Sequence, residues 1–235
     1  YALAESGLTE TTELVVPSGV EYIGRGILKG IRNLEELTLP FLGATEINSE
    51  RNNTIEYTFC TNGVNTNWPD DLDNLKKLSI LSGDHLDGYA FKTMKVQEIY
   101  LPSSLIDIGY CAFWGCQDLN NIIIPNNVRS MGSQAFMLCS SIKNIIIPQN
   151  CSELASEVFA DCYSLKSVTI PKNISYIAED AFDGCSSLED ICLDDDNMFF
   201  KIYDKILYDY NMTRIVVVPK KINGIVQIPD GVKSI

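Results

Sequence analysis

The sequence is poor in the groups that most catalytic sites need, above all histidine. In 235 residues it has one, His85, so a Ser-His-Asp or Cys-His site could use only that side chain. His85 follows Gly83-Asp84 with no nucleophile motif around it, and we interpret it as a surface loop residue. The phosphate- and dinucleotide-binding glycine patterns are missing from the sequence as well. We therefore predict that the chain is not an enzyme and needs no cofactor.

Positive charge is also scarce. The chain has 18 Lys and Arg against 31 Asp and Glu, which gives a net charge of −13. Nucleic acids and anionic membrane surfaces both require a basic patch, so neither is an expected partner. Long apolar runs are missing too, and no stretch of about 18 apolar residues could span a membrane.

No leader-like segment opens the chain, which begins at Tyr1, not at Met, and ends in mid-pattern at Ile235. We read it as one domain, residues 1–235, cut from a longer protein. The composition, 46% hydrophobic and 21% charged, is that of a folded protein with a real core.

A repeat of 23 residues organises the sequence. It is marked by prolines at matching positions, and each proline follows a short apolar strand with another apolar residue three places upstream of that strand. The prolines are Pro102, Pro125, Pro148 and Pro171, and Asp194 falls one further step on. The template is L-x-x-L-x-L-P, and it covers residues 96–194 without a slip.

The remainder of each coil repeats as well. Past the proline come two apolar positions, then an apolar-Phe pair such as Ala135-Phe136, then a cysteine. One such coil cannot bury its own apolar face, so we expect successive coils to stack around one continuous core. Alternation within the strand points its apolar residues inward, and 23 residues leave little room for a helix. The sequence predicts a β-rich solenoid with few short helices, and a second short strand or tight turn opposite the first strand.

Less regular segments flank this run of coils. Residues 41–74 break the register and read as an excursion from the solenoid, with a strand at 54–60. Residues 195–219 read as a β-hairpin insertion, in which Asp204-Lys205 and residues 208–214 form the turns.

The string L-x-x-I-x-I-P-x-x-V-x-x-I-x-x-x-A-F-x-x-C resembles the BspA-like, or Treponema-type, leucine-rich repeat. Residues 119–185 match it most closely, through Leu119, Pro125, Phe136, Cys139 and their successors. The resemblance implies a leucine-rich-repeat solenoid in a bacterial cell-surface or secreted protein with a role in adhesion and protein binding. The hairpin of such proteins normally has glycine where this sequence has Lys205.

The cysteines allow two interpretations. Cys116, Cys139, Cys162 and Cys185 recur every 23 residues, and neighbouring coils about 4.8 Å apart are close enough for disulfides or a metal. Side chains in a stacked column point in parallel, however, and paired metal-ligand spacing is missing. We favour a buried column of small apolar side chains. Cys192 and Cys60 are the expected accessible thiols.

An acidic turn at Asp194-Asp195-Asp196-Asn197 offers hard oxygen ligands for calcium. It lacks the remaining ligands of an EF-hand loop, so we favour a solvated turn and predict no metal site.

The outward middle positions of the strands are the best candidates for a binding surface. Three consecutive coils place apolar residues there: Tyr100, Ile123 and Ile146. Contiguous exposed apolar residues usually mark interaction sites, and solenoids bind through extended concave faces. The alternatives are that β-branched residues merely suit a strand, or that the excursion covers them. The predicted binding residues are Tyr100, Ile123, Ile146, Thr169, Glu98 and Asn121.

The leading functional hypothesis is a non-enzymatic binding or adhesion module, with an extracellular or cell-surface location. Its partner is a protein, of a host or a matrix, or a glycan. A structural spacer that presents another domain is the alternative, and an enzyme with a site in the 41–74 excursion is a weaker one.

Overall fold

The computed structural model describes residues 10–42, except 25 and 29, and residues 72–234, except 223. The chain winds into a β-solenoid of about seven turns spaced about 23 residues apart, with almost no helix. This is the fold that the repeat predicts. Most of the 41–74 excursion, including the strand expected at 54–60 and Cys60, lies outside the described residues.

The strand before each proline position forms what we call the first ladder, in which all pairs are parallel. Its strands are β1 (Glu13–Val15), β2 (Glu36–Leu39), β3 (Lys77–Ile80), β5 (Glu98–Tyr100), β7 (Asn121–Ile123), β9 (Asn144–Ile146), β11 (Ser167–Ile170) and β13 (Asp190–Leu193). The partners are one repeat apart, as in Tyr100 opposite Ile123.

A second ladder of two-residue strands follows the proline turn of each coil. It consists of β4 (His85–Leu86), β6 (Asp107–Ile108), β8 (Ser130–Met131), β10 (Glu153–Leu154) and β12 (Tyr176–Ile177). The strand that was expected near the alanine-phenylalanine pair therefore lies before that pair, and the pair itself lies in a turn. His85 is a strand residue, so its interpretation as a loop residue is wrong, although its side chain is exposed.

The core consists of stacked columns, one residue from each coil. The phenylalanine rings of five consecutive coils stack at centroid distances of 5.0, 4.8, 5.4 and 5.7 Å: Phe91, Phe113, Phe136, Phe159 and Phe182. Beside them, each thiol of the cysteine column donates a hydrogen bond to the phenylalanine carbonyl of the preceding coil, as from Cys139 Sγ to Phe113 O at 3.1 Å. All four column cysteines are fully buried, as the favoured interpretation predicts.

The turn beside the second ladder brings backbones of neighbouring coils very close together. A Cβ on Gly109 would lie 2.6 Å from Gly88 N, and a Cβ on Gly132 would lie 2.6 Å from Tyr110 N. Glycine is therefore required at both positions by space rather than by backbone angle.

Both ladders are interrupted between the same two coils. Within the described residues, no hydrogen-bonded register joins β7 to β9 or β8 to β10. The turns nevertheless remain bonded across this junction, from Gln134 N to Ser156 O at 3.0 Å and from Phe136 N to Val158 O at 2.9 Å. The coils are thus held together there along one side and by the core.

A three-stranded antiparallel sheet follows β13, formed by β14 (Phe200–Tyr203), β15 (Ile206–Asp209) and β16 (Ile215–Val217). Asp204 and Lys205 join the first two strands, and both have positive φ, 48° and 66°. A two-residue loop with two positive φ angles is a type I′ turn. The loop after β15 is held by Asp209, whose side chain accepts hydrogen bonds from the amides of Thr213 and Arg214 at 2.6 and 2.7 Å.

Candidate surface for protein binding

Alternation along the first ladder points one residue in two away from the core and creates two parallel rows on its outer face. The row that includes the apolar candidates, which we call the outward row, is Val15, Thr38, Ser79, Tyr100, Ile123, Ile146, Thr169 and Cys192. The row beside it, the polar row, is Glu13, Glu36, Lys77, Glu98, Asn121, Asn144, Ser167 and Asp190.

The three apolar candidates of the outward row are open to solvent. Tyr100 is 44% exposed, Ile123 is 76% exposed and Ile146 is 66% exposed. The strand residues on either side of them, such as Ile99 and Ile145, are buried at 2%. An inward-facing core explanation is therefore excluded for these three side chains.

The other predicted binding residues also lie on this face. Glu98 pairs with Asn121 in the polar row, beside the pair of Tyr100 and Ile123. Thr169 pairs with Ile146 and is half-buried. The structure thus brings all six predicted residues onto one surface, although the junction between β7 and β9 divides them into two groups.

A network of charges borders the apolar segment on the side of β3 and β5. Tyr100 donates a hydrogen bond from its hydroxyl to Glu98 Oε2 at 2.9 Å, and this bond to a carboxylate raises the tyrosine pKa. Lys77 Nζ lies 3.1 Å from Glu36 Oε2 and 5.6 Å from the centre of the Tyr100 ring. The bond to Glu36 raises the pKa of Lys77, so the lysine stays charged above its ring partner.

A depression of about 310 Å³ opens between Tyr100 and Ile123. Its other walls are Ile99, Leu101, Ser103, Asn121 and Pro125. This volume lies at the lower end of the range for ligand pockets, and most of the wall is aliphatic or aromatic. The depression extends to Pro125, so it continues from the strands into the turn that follows them.

Sequence reasoning missed several features of this surface. Leu101, Ser103 and Pro125 were assigned to turns, and their position beside the outward row follows only from the path of the coil. The contact between Lys77 and Tyr100 joins two coils whose alignment is visible in the repeat, so it could have been found by listing neighbours along each row. The interruption between β7 and β9 leaves no signal in the repeat.

The remaining candidates resolve into structural roles. Cys192 is exposed, as predicted, and Cys151 is buried in the core. In the acidic turn, Asp194 Oδ1 accepts a hydrogen bond from Asp196 N at 3.0 Å. Asn197 is buried, and its amide donates to the carbonyls of Pro171 and Ile174 at 3.0 and 3.2 Å. These contacts make the segment a capped turn at the end of the coil, and among the described residues no cluster with metal-ligand geometry occurs.

His85 is exposed, and its Nε2 lies 3.3 Å from Asp87 Oδ1. The site once considered for an enzyme falls in the 41–74 excursion, most of which lies outside the described residues. No helix in the described part of the chain is long and apolar enough to cross a membrane.

The fold, the repeat and the surface agree with one family. The BspA type leucine-rich repeat region matches residues 84–213 in six copies, which is more than half of the chain. The chain belongs to this family, as its resemblance implied. Leucine-rich-repeat domains generally mediate protein interactions and are generally non-enzymatic.

Solved structures show the same fold. A leucine-rich repeat protein from Eubacterium ventriosum has a TM-score of 0.65 at 21% identity, over 84% of this chain and 50% of that one. The pneumococcal vaccine antigen PcpA has a TM-score of 0.61 at 23% identity, over 68% of this chain and 40% of its own. A leucine-rich repeat protein of T. pallidum is 29% identical, with a TM-score of 0.47, over 49% of this chain and 57% of its own. The chain thus spans about half the length of these proteins, and no curated protein matches it.

Proposed function

We propose that the chain is a non-enzymatic protein-binding module that engages its partner through the outward row around Tyr100, Ile123 and Ile146. The observation that carries the proposal is the exposure of these three apolar side chains on consecutive coils. A folded chain gains nothing from such a row in water, because burying each side chain would stabilise the protein by about 1.5–3 kcal/mol. A contiguous exposed apolar segment is typical of an interaction surface.

The surroundings of the row support this proposal. A binding interface commonly has an apolar centre and a polar rim, and here the polar row supplies Glu98, Asn121 and Asn144 beside the apolar segment. Tyrosine is among the residues that contribute most to binding energy at interfaces, and the hydrogen bond to Glu98 holds Tyr100 in one orientation before any partner arrives.

We further propose an extracellular or cell-surface location and a role in adhesion, with a secreted or matrix protein, or a glycan, as the partner. Support comes from the family and from PcpA, a vaccine antigen with the same fold. The single-domain division at residues 1–235, with excursions at 41–74 and 195–219, is part of this proposal.

The test is an array of secreted and extracellular-matrix proteins and glycans, probed with labelled wild-type chain and with Tyr100→Ala and Ile123→Asp. Tyr176→Ala is the matched control, since Tyr176 is an exposed tyrosine on the second ladder. We expect binding that is lost in the first two variants and retained in the control, with unchanged thermal midpoints for all three.

Equal binding by all variants would place the binding surface elsewhere. No binding to any array component would favour the alternative, a structural spacer that presents another domain. Unfolding of Ile123→Asp would mean that the row belongs to the core.

A further inference from the structure

The apolar segment of the outward row does not have uniform surroundings. Between Asn121 and Ile146 the face carries no charge, because the polar row there consists of Asn121 and Asn144. Toward the start of the chain the same row holds Glu13, Glu36 and Glu98 with a single cation, Lys77. Since Lys77 is paired with Glu36, the face has an excess of negative charge on the Glu98 side.

The depression beside Tyr100 has the size and lining for one large apolar side chain. Its volume of about 310 Å³ exceeds that of a leucine or phenylalanine side chain only modestly, and its walls include Leu101, Ile123 and Pro125. It does not suit a sugar ring, which stacks on an open aromatic face. Lys77 lies over the Tyr100 ring, and the Tyr100 hydroxyl is already bonded to Glu98.

The two asparagines offer the hydrogen bonds that a peptide backbone needs. Both are exposed, and they lie on consecutive strands of the face. Asn144 Oδ1 accepts a hydrogen bond from Ser167 Oγ at 2.7 Å, which orients the Asn144 amide so that its NH₂ group remains available as a donor. The Asn121 side chain has no hydrogen-bond partner among the described residues, so it can both donate and accept.

We propose that the outward row binds an extended, basic peptide segment that crosses the strands along the solenoid. One aliphatic or aromatic side chain of the peptide fills the depression between Tyr100 and Ile123. The backbone bonds to the side chains of Asn121 and Asn144, and a lysine or arginine of the peptide lies against Glu98. This inference rests on the proposed function and adds the chemistry of its partner.

The orientation follows from the two rows. A chain that crosses the strands from β5 to β9 meets Glu98, Asn121 and Asn144 in turn on one side, and Tyr100, Ile123 and Ile146 in turn on the other. The basic residue of the peptide is therefore expected on the side of the apolar anchor that faces β5. The net charge of −13 attracts a basic partner over the whole molecule and speeds its encounter.

A displayed library of random linear peptides tests the proposal. Selections run in parallel on the wild-type chain, Ile123→Asp, Glu98→Lys and the control Tyr176→Ala. On the wild type and the control, we expect enriched sequences that share one large apolar residue with lysine or arginine on one side of it. On Ile123→Asp this set disappears, and on Glu98→Lys the basic residue is replaced by aspartate or glutamate.

A synthetic peptide of the enriched sequence then gives affinities by fluorescence anisotropy. We expect Asn121→Leu to weaken binding about tenfold, the loss of roughly one hydrogen bond to the backbone. Affinity for the wild-type chain should fall as salt is added, and this salt dependence should be smaller for Glu98→Gln.

The outcomes separate this proposal from the preceding one. Folded array proteins that bind through Tyr100 and Ile123, with no peptide enriched, would refute the peptide and leave the binding surface in place. Enriched peptides that bind Ile123→Asp equally well would refute both. Enrichment that is unaffected by Glu98→Lys would refute the basic segment and its orientation.

Discussion

The glycines of the turn after each second-ladder strand set how closely two coils approach. At Gly132 an added Cβ would meet backbone nitrogen rather than the end of a flexible side chain, so only a shift of a whole coil could relieve the clash. Later coils have Ala155 and Ala178 at the same position. The requirement for glycine therefore belongs to the coils between Gly88 and Gly132 and not to the repeat as a rule.

We expect Gly132→Ala to lower the free energy of unfolding by about 2 kcal/mol or more, because overpacking against backbone cannot relax easily. Urea denaturation monitored by circular dichroism measures this change. Gly19→Ala is the control, since nothing lies within 4 Å of a Cβ there. Equal losses in the two variants would show that the close approach at Gly132 carries no cost.

The hydroxyl of Tyr208 is buried without a hydrogen-bond partner in the described part of the chain. An unsatisfied buried polar group costs free energy, and its removal leaves the ring packing intact. We expect Tyr208→Phe to leave the thermal midpoint unchanged or raise the stability by about 1 kcal/mol. A clear loss of stability in differential scanning calorimetry would mean that the hydroxyl has a partner, such as a bound water.

The buried cysteines make stability depend on alkaline pH. Burial raises the pKa of Cys185 from 9.0 to about 12, and burial raises the pKa of Cys139 and Cys162 well above 9.0. Above pH 9 the unfolded chain therefore releases thiol protons that the folded chain retains. The stability that these thiols contribute is complete below that pH and is lost as pH rises toward the folded-state values.

We expect the free energy of unfolding, measured with reductant present, to decline progressively above pH 9. Cys162→Ala should show a shallower decline, because one raised thiol is gone, even though its stability at neutral pH is lower. Cys192→Ser is the control, because this thiol is exposed. Parallel pH curves for wild type and Cys162→Ala would contradict the assignment.

Residue roles inside a column could be predicted well from the sequence, because every coil supplies another instance of the same position. The burial of Cys116, Phe136 and Val128 follows from the period alone. The repeat could not show which glycines are fixed by space, since that depends on coil-to-coil distance. It also could not show that Tyr208 buries a hydroxyl, because the hairpin has no second copy for comparison.

At the scale of elements, the hairpin between β14 and β15 has an unusual turn. Type I′ turns place both central residues at positive φ, and glycine is strongly preferred at the second. Here Lys205 occupies that position at φ 66°. A side chain in this region costs about 1–2 kcal/mol relative to right-handed backbone.

We expect Lys205→Gly to stabilise the protein by about 1 kcal/mol or slightly less, since relief of strain exceeds the added entropy of the unfolded chain. Thermal denaturation reports the change. Lys221→Gly serves as a control at another exposed lysine. Destabilisation by Lys205→Gly would mean that the lysine side chain makes a contact that outweighs the strain.

Elements with enough length were predictable, and shorter ones were not. The strands of the first ladder have three or four residues and a clear alternation, so their positions follow from the template. The second ladder has two residues per strand, too few for a period of two to be recognised, and its place was predicted on the wrong side of the turn. The hairpin turns were located correctly because Asp204-Lys205 separates two apolar runs.

Across the whole molecule, the interruption between β7 and β9 divides the stack of coils. At this position in neighbouring coils the amide bonds to the preceding coil, as Lys166 N does to Lys143 O at 2.7 Å. Lys143 N makes no such bond to Asn120, although both residues are described. The junction is held by the turns and by the stacking of Phe136 on Phe159, which lie away from the ladders.

We expect the amide of Lys143 to exchange with solvent at least about tenfold faster than that of Lys166, the same residue type one coil later. Hydrogen exchange followed by NMR resolves the two sites. Equal protection would show that the two ladders are continuous in solution. Faster exchange would identify a seam in the array that passes through the proposed binding surface, between Ile123 and Ile146.

The constant step of 23 residues also has a consequence for how such a protein changes over generations. Each coil presents the same kinds of contact to the coil before and the coil after it, so a gene segment that encodes one coil can be duplicated or deleted in frame without demanding a new core. Copy number then sets the length of the outer face, while single-base changes at two positions per coil alter what that face recognises. Stability and recognition are therefore inherited on nearly separate sets of codons, and one can drift while the other is conserved.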